Sequence, residues 1–217
     1  MCKICLIFAA AMTFQQFHQQ FSHFGCVSSE LLRDSHCSFD KNSLTRWCQN
    51  GYLVKLRNGL YLFPEFLENN DFQYIIANTI YPDSYVSLHS ALIYHGFLPN
   101  PLSTQISSVT IHKTKEFRNV LGSFDYRKVK PELRFGYEVI GERPFTFMMA
   151  TPEKALLDLF YLFPMYYDTE QKLRNFAIEE RRIYENWNSV RMYDYLQIFE
   201  NQSLENRMTM FARMYGL

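Results

Sequence analysis

Glycine and proline are scarce in this chain, eight of each in 217 residues. With so few glycines there is no glycine-rich phosphate loop, and neither a Gly-x-Ser-x-Gly turn nor a His-Glu-x-x-His helix is present. Net charge is lacking too. The 22 Lys and Arg balance 22 Asp and Glu, which excludes a chain built as one polycationic or polyanionic tail. Long apolar runs are missing: the longest, Ile4 through Met12, falls short of the roughly 18 residues that mark a membrane span. The five cysteines are odd in number and scattered. Cys2 and Cys5 form a Cys-x-x-Cys with no second pair, and Cys26, Cys37 and His36 fit no metal spacing, so reduced thiols without metal or cofactor are expected.

Apolar and aromatic residues are plentiful. At 47% and 17% of the chain, with 20 Phe and 15 Tyr, they supply a well-filled core and argue against disorder. The first eleven residues imitate a signal peptide, with Lys3 before a short apolar run. Helical patterning begins at once at Met12-Thr13-Phe14 and leaves no spacer, so a cytoplasmic protein is expected. Charge is also uneven. Residues 1–64 carry Lys3, Arg33, Lys41, Arg46, Lys55 and Arg57 against Glu30, Asp34 and Asp40. A basic front end on an acidic remainder suits a nucleic-acid-reading module joined to a body of another kind.

The chain is organised around residues 28–63. Leu44, Trp47 and Cys48 fall on one face of a short helix over 42–51, leaving Asn42, Ser43, Thr45, Arg46 and Gln49 around the rest. Asp40 or Asn42 can cap its start and Gly51 suits its end. Residues 52–56 and 60–63 are strand-like about Arg57-Asn58-Gly59, and Asn-Gly is a strong hairpin signal. Upstream, 13–23 and 28–34 read as two helices broken at Gly25. Three helices followed by a basic-tipped hairpin is the order of a winged helix-turn-helix. Arg46 and Gln49, then Asn42, are the best base-reading candidates, since Arg suits guanine and Asn or Gln suits adenine. Lys41, Ser43 and Thr45 share the helix, and Lys55, Arg57 and Asn58 on the wing are placed to meet phosphates.

Residues 72–162 alternate helices with strand-like runs, with Thr151 capping a helix over 152–162, and predict helices on a small, largely antiparallel sheet. Beyond Pro164 the pattern is helical only, over 170–182, 189–199 and 204–214. The expected architecture is α+β: a winged module over 1–65, a mixed α/β domain over 66–164 and its helical extension over 165–217. Glu153, Lys154 and Asp158 hint at an enzyme, but helix-start electrostatics accounts for Glu153 and a buried anchoring hydrogen bond for Asp158. His89 and His95 have a poor metal spacing and are expected to pack beside Tyr94 and Tyr85. No catalytic residue is assigned.

Several segments together resemble one family. They are Leu44-Thr45-Arg46-Trp47 through Gly51-Tyr52-Leu53, the wing Arg57-Asn58-Gly59-Leu60-Tyr61, and Tyr85-Val86-Ser87-Leu88-His89-Ser90-Ala91-Leu92 with Tyr94-His95-Gly96. The last is Ala150-Thr151-Pro152-Glu153-Lys154-Ala155-Leu156-Leu157-Asp158. Their order over 13–162 is similar to that of the AbiEi-like antitoxin regulators of type IV toxin–antitoxin, abortive-infection systems. The resemblance implies a repressor of its own promoter, acting on double-stranded DNA, often at inverted repeats; the small basic excess suits a homodimer on two half-sites. It also implies an antitoxin that counteracts a nucleotidyltransferase-like toxin without a stable complex. A stand-alone regulator, a small nucleotide- or nucleic-acid-acting enzyme using the second domain, and a pure protein-interaction module remain open alternatives.

Overall fold

The computed structural model describes residues 12–35, 41–69, 71–99 and 105–217. The chain divides into two compact units, one ending at Phe72 and the other beginning at Gln73, somewhat beyond the boundary expected at 65. Residues 1–11, with the signal-like run and Cys2 and Cys5, lie outside the described residues, as do His36, Cys37 and Asp40.

The N-terminal unit starts with α1 (Phe14–Phe21). Thr13 caps it: Gln16 N donates to Thr13 Oγ1 at 3.3 Å and Thr13 N donates to Gln16 Oε1 at 2.9 Å, a reciprocal capping box. Phe17 and Phe21 face inward, and the glutamines remain outside. A 3-10 turn over Ser22–Phe24 leads through Gly25 to β1 (Cys26–Ser28) and α2 (Ser29–Asp34), whose cap is Ser28. Then come α3 (Lys41–Gln49), β2 (Val54–Arg57) and β3 (Leu60–Leu62). The strands form an antiparallel sheet in the order β1-β3-β2. Strand β1 corrects the expectation of two helices separated only by a break at Gly25. Three residues are too few to show a period, yet Val27 is fully buried and Cys26 pairs with Leu62. Phe17, Phe21, Val27, Leu32, Leu44, Trp47, Leu53 and Phe63 make the core of this unit.

The C-terminal unit follows α4 (Phe72–Ile80) with β4 (Ser84–Val86), α5 (Leu88–Tyr94), β5 (Gln105–Thr110), β6 (Lys115–Asn119), β7 (Gly122–Lys128), β8 (Tyr137–Glu142) and β9 (Phe145–Ala150). Five helices complete it: α6 (Pro152–Leu162), α7 (Glu170–Arg174), α8 (Glu180–Asn186), α9 (Ser189–Phe199) and α10 (Gln202–Tyr215). Its sheet has six strands in the order β6-β7-β5-β4-β9-β8. The fold is α+β, and the sheet is mixed: β4–β5, β6–β7 and β8–β9 are antiparallel as expected, and two pairings are parallel. Strand β7 inserts between β6 and β5 and runs parallel to β5, and β4 runs parallel to β9 through Val86 and Met149. The helix expected over 170–182 is two helices. Glu179 N donates to Phe97 O at 2.9 Å, and burial of Ile178 draws the intervening residues off the helical path.

Helix α6 occupies the centre of this unit. Thr151 caps it and Pro152 takes its first turn, as the sequence predicts. Every residue from Glu153 to Phe160 is buried, because α5, α9, α10 and β9 all pack around it. No helix among the described residues is long and apolar enough to cross a membrane.

Candidate nucleic-acid interface

Helix α3 divides its residues cleanly. Leu44 and Trp47 are buried and Cys48 half-buried, with Trp47 packed 4.7 Å from the Phe17 ring and edge-on to Phe14 at 5.5 Å. Asn42, Thr45, Arg46 and Gln49 are exposed. Their spacing of three, four and seven residues puts them on a single stripe. The side chain of Lys41 lies outside the described residues. Ser43 departs from its expected place: it is 3% exposed, on the Trp47 side of the helix. Its Oγ accepts a hydrogen bond from Arg46 Nη2 at 3.3 Å, so Ser43 steadies the guanidinium from below the exposed stripe. The helix ends where Tyr52 N donates to Trp47 O at 2.9 Å and Gly51 turns at φ +75°.

The hairpin presents its cations by alternation. Leu56 is buried, whereas Lys55 and Arg57 on either side of it are exposed, and Asn58 is exposed at the turn. A register shift separates Lys55 from Arg57, so the ladder is bulged at the basic tip. The tip is held at its base: Ser29 N, at the start of α2, donates to Gly59 O at 2.7 Å. Gly59 has φ +78°, and a Cβ there would meet Ser29 Oγ at 2.8 Å, so only glycine allows this approach. Burial pushes the Cys48 thiol up, and the charge of Lys55 acts against it. A raised, half-buried thiol is a poor nucleophile and a poor metal ligand. Arg46, Lys55, Arg57, Asn42, Thr45, Gln49 and Asn58 thus all reach solvent from one small unit. The anchoring strand β1 and the supporting Ser43 escaped sequence reasoning. A helical wheel carried one residue further would have placed Ser43 next to Trp47.

The residues that hinted at catalysis are closed off. Lys154 and Asp158 are both 0% exposed and form an ion pair across one turn of α6. Asp158 Oδ2 accepts from Tyr85 OH at 2.9 Å and from Ser87 Oγ at 2.8 Å, and Lys154 Nζ donates to Tyr85 OH at 2.8 Å. The ammonium lies 4.9 to 5.2 Å from the ring centroids of Phe135, Phe199 and Tyr85. Burial pulls the Lys154 ammonium down and Asp158 opposes this; burial, then Asp158, push the Tyr85 phenol well up. Gly136, at φ +70°, lets the chain cross Lys154, since a Cβ would come within 3.0 Å of its Cγ. Glu153 accepts from Asn188 N at 2.9 Å and lies 3.6 Å from Arg191. The whole constellation ties β4, α6 and α9 together, with Glu153, Lys154 and Asp158 all buried.

The two histidines of α5 stand apart. His95 Nε2 is 2.9 Å from Ala150 O and packs edge-on to Tyr94, whereas His89 contacts Tyr167 and Phe176 instead of Tyr85. Among the described residues no group of three His, Cys, Asp or Glu could hold a metal ion, and neither Cys26 nor Cys48 is in a disulfide.

No family model matches this chain, and no curated protein does. It is similar to a crystal structure of the RV2827C protein from Mycobacterium tuberculosis at 16% identity, over 85% of this chain and 76% of that one, with a TM-score of 0.39.

Proposed function

We propose that this protein is a DNA-binding transcriptional regulator in which residues 12–66 act as a winged helix-turn-helix. In this reading α3 enters the major groove, with Arg46 and Gln49 on base edges and Asn42 and Thr45 beside them. Lys55, Arg57 and Asn58 on the β2–β3 hairpin meet the phosphate backbone, joined by Lys41. One observation carries it: four polar side chains form a single exposed stripe on α3, next to a hairpin whose cations are turned outward and whose base is pinned to α2. Three helices and a three-stranded sheet in the order α1-β1-α2-α3-β2-β3 agree with it.

The resemblance in segment order extends the proposal. The regulator represses its own promoter in the cytoplasm as a homodimer on inverted repeats, and it counteracts a nucleotidyltransferase-like toxin encoded beside it. A regulator without a toxin is the second reading, and the exposed α3 stripe favours both equally. The sealed Lys154–Asp158 pair weighs against an enzyme.

The test is binding of the full chain to its own upstream DNA and to scrambled DNA over a salt series. Tighter binding to the upstream DNA, weakening steeply with salt, is the expected result. Equal, weak binding to both would overturn the proposal. Rescue of growth on co-expression with the neighbouring gene tests the antitoxin role, and no rescue leaves the stand-alone regulator.

A further inference from the structure

A cavity of about 680 Å³ opens in the C-terminal unit. Small-molecule sites occupy about 300–1,000 Å³. Its floor is one face of the parallel β5–β7 pair. Ser107 lies opposite Asp125 in the register, and alternation puts Arg127 on the same face two residues on. The other face carries Ile106, Phe124 and Tyr126, all buried, with Tyr126 OH donating to Ala77 O at 2.6 Å. Parallel strands are normally covered by apolar side chains on both faces. Here one face sets Ser107, Asp125 and Arg127 beside the buried Val109.

The polar groups are ordered. Arg127 Nε donates to Asp125 Oδ2 at 2.8 Å, and its guanidinium carbon lies 5.4 Å from the Phe163 ring centroid. Among the described residues its two terminal nitrogens have no hydrogen-bond partner. On another wall, His89 Nε2 is 3.3 Å from Tyr167 OH, and the Tyr167 ring packs edge-on to Phe176 at 5.3 Å. Burial pulls His89 below its ordinary value and pushes Tyr167 up to about 12, so this wall is neutral at pH 7. Tyr166, 70% exposed, stands at the rim.

We propose that this cavity binds a nucleoside monophosphate, with its phosphate on the Arg127 guanidinium and its base against the Tyr166, Tyr167 and Phe176 rings. A planar guanidinium braced by a carboxylate and a ring is suited to bidentate contact with a phosphate. An apolar ligand would cover Ser107, Asp125 and Arg127 without satisfying them, and a bare anion would leave the aromatic wall idle. A ring joined to an anion uses both, and the ring edge finds His89 for hydrogen bonding. None of this depends on the DNA-binding reading, since every residue invoked belongs to the C-terminal unit.

The experiment is calorimetry on the full chain with AMP, GMP, CMP and UMP, the matching nucleosides, and inorganic phosphate. At least one nucleotide is expected to bind with a Kd below about 1 mM. Its nucleoside and phosphate alone should bind at least tenfold more weakly. Arg127→Gln should weaken the nucleotide at least tenfold while Arg46→Ala leaves it unchanged, which separates the cavity from the basic N-terminal face. Should Arg127→Gln not fold, Tyr166→Ala at the exposed rim is expected to weaken binding severalfold. No binding by any of the four nucleotides, a nucleoside as tight as its nucleotide, or full affinity in the folded variants would each overturn the proposal.

Discussion

Helices α3 and α6 are of similar length and both carry charged and amide or hydroxyl side chains, but they direct them oppositely. On α3 the polar residues Asn42, Thr45, Arg46 and Gln49 face water. On α6, Glu153, Lys154 and Asp158 are sealed in, each matched by partners on β4 or α9. A polar residue on a helix therefore announces function only where the fold makes no use of it. Around α6 the cluster serves the structure itself, because with α5, α9, α10 and β9 on all sides any charge there must be neutralised locally.

The contrast breaks most visibly at Asp158. Asp158→Ala leaves the Lys154 ammonium and the Tyr85 and Ser87 hydroxyls without their acceptor, and should destabilise the C-terminal unit by about 3–5 kcal/mol in denaturant unfolding. The double replacement Lys154→Met with Asp158→Leu should recover most of that loss; a cost below about 1 kcal/mol for the single change would sink this account. On α3 the opposite pattern is expected. Arg46→Ala should leave unfolding within about 0.5 kcal/mol of the parent, yet weaken binding to the cognate DNA by about 1–3 kcal/mol at fixed salt. Lys55→Ala and Arg57→Ala should weaken cognate and scrambled DNA alike, each lowering the salt slope by about 1; a sequence-selective loss would move these side chains from phosphates to bases.

The smallest effect concerns pH. Burial lowers the His89 pKa in the folded state below the ordinary 6.5, so on acidification the unfolded chain takes up this proton first. Stability from His89 is therefore fully present above 6.5 and declines as pH falls from there towards the folded-state value. Thermal unfolding between about pH 7.5 and 5 should show this decline, and His89→Asn should flatten it. An identical profile in the variant would assign the decline to other groups.

Much of the fold was legible because strong periodicity and end signals coincide. Phe14, Phe17 and Phe21 behind Thr13 give α1, Thr151-Pro152 gives the start of α6, and Asn58-Gly59 gives the hairpin. What escaped the sequence was set by distant partners. Strand β1 exists because β3 offers Leu60 to Leu62 an unpaired edge, and the 170–182 pattern breaks because Phe97 O captures Glu179 N. The exposed stripe of α3 was readable apart from Ser43, whose inward turn follows from its place beside Trp47. The aromatic enclosure of Lys154 was not readable, since Phe135 and Phe199 reach it from remote segments.

The parallel pairing of β4 with β9 also sets a timetable for synthesis. The N-terminal unit closes its sheet once Leu62 has joined Cys26, a short span of chain. Strand β4 meets β5 first, with Val86 opposite Ser108, but Val86 must wait for Met149, and Tyr85 and Ser87 for Asp158, before its second edge and its polar partners are in place. Contacts so far apart along the chain form late and slowly. On the ribosome, β4 therefore waits through the passage of some sixty residues with its β9 edge unpaired, while the sheet of the first unit is already closed. Premature termination between residues 100 and 150 should yield a folded N-terminal unit trailing a segment that chaperones or proteases engage.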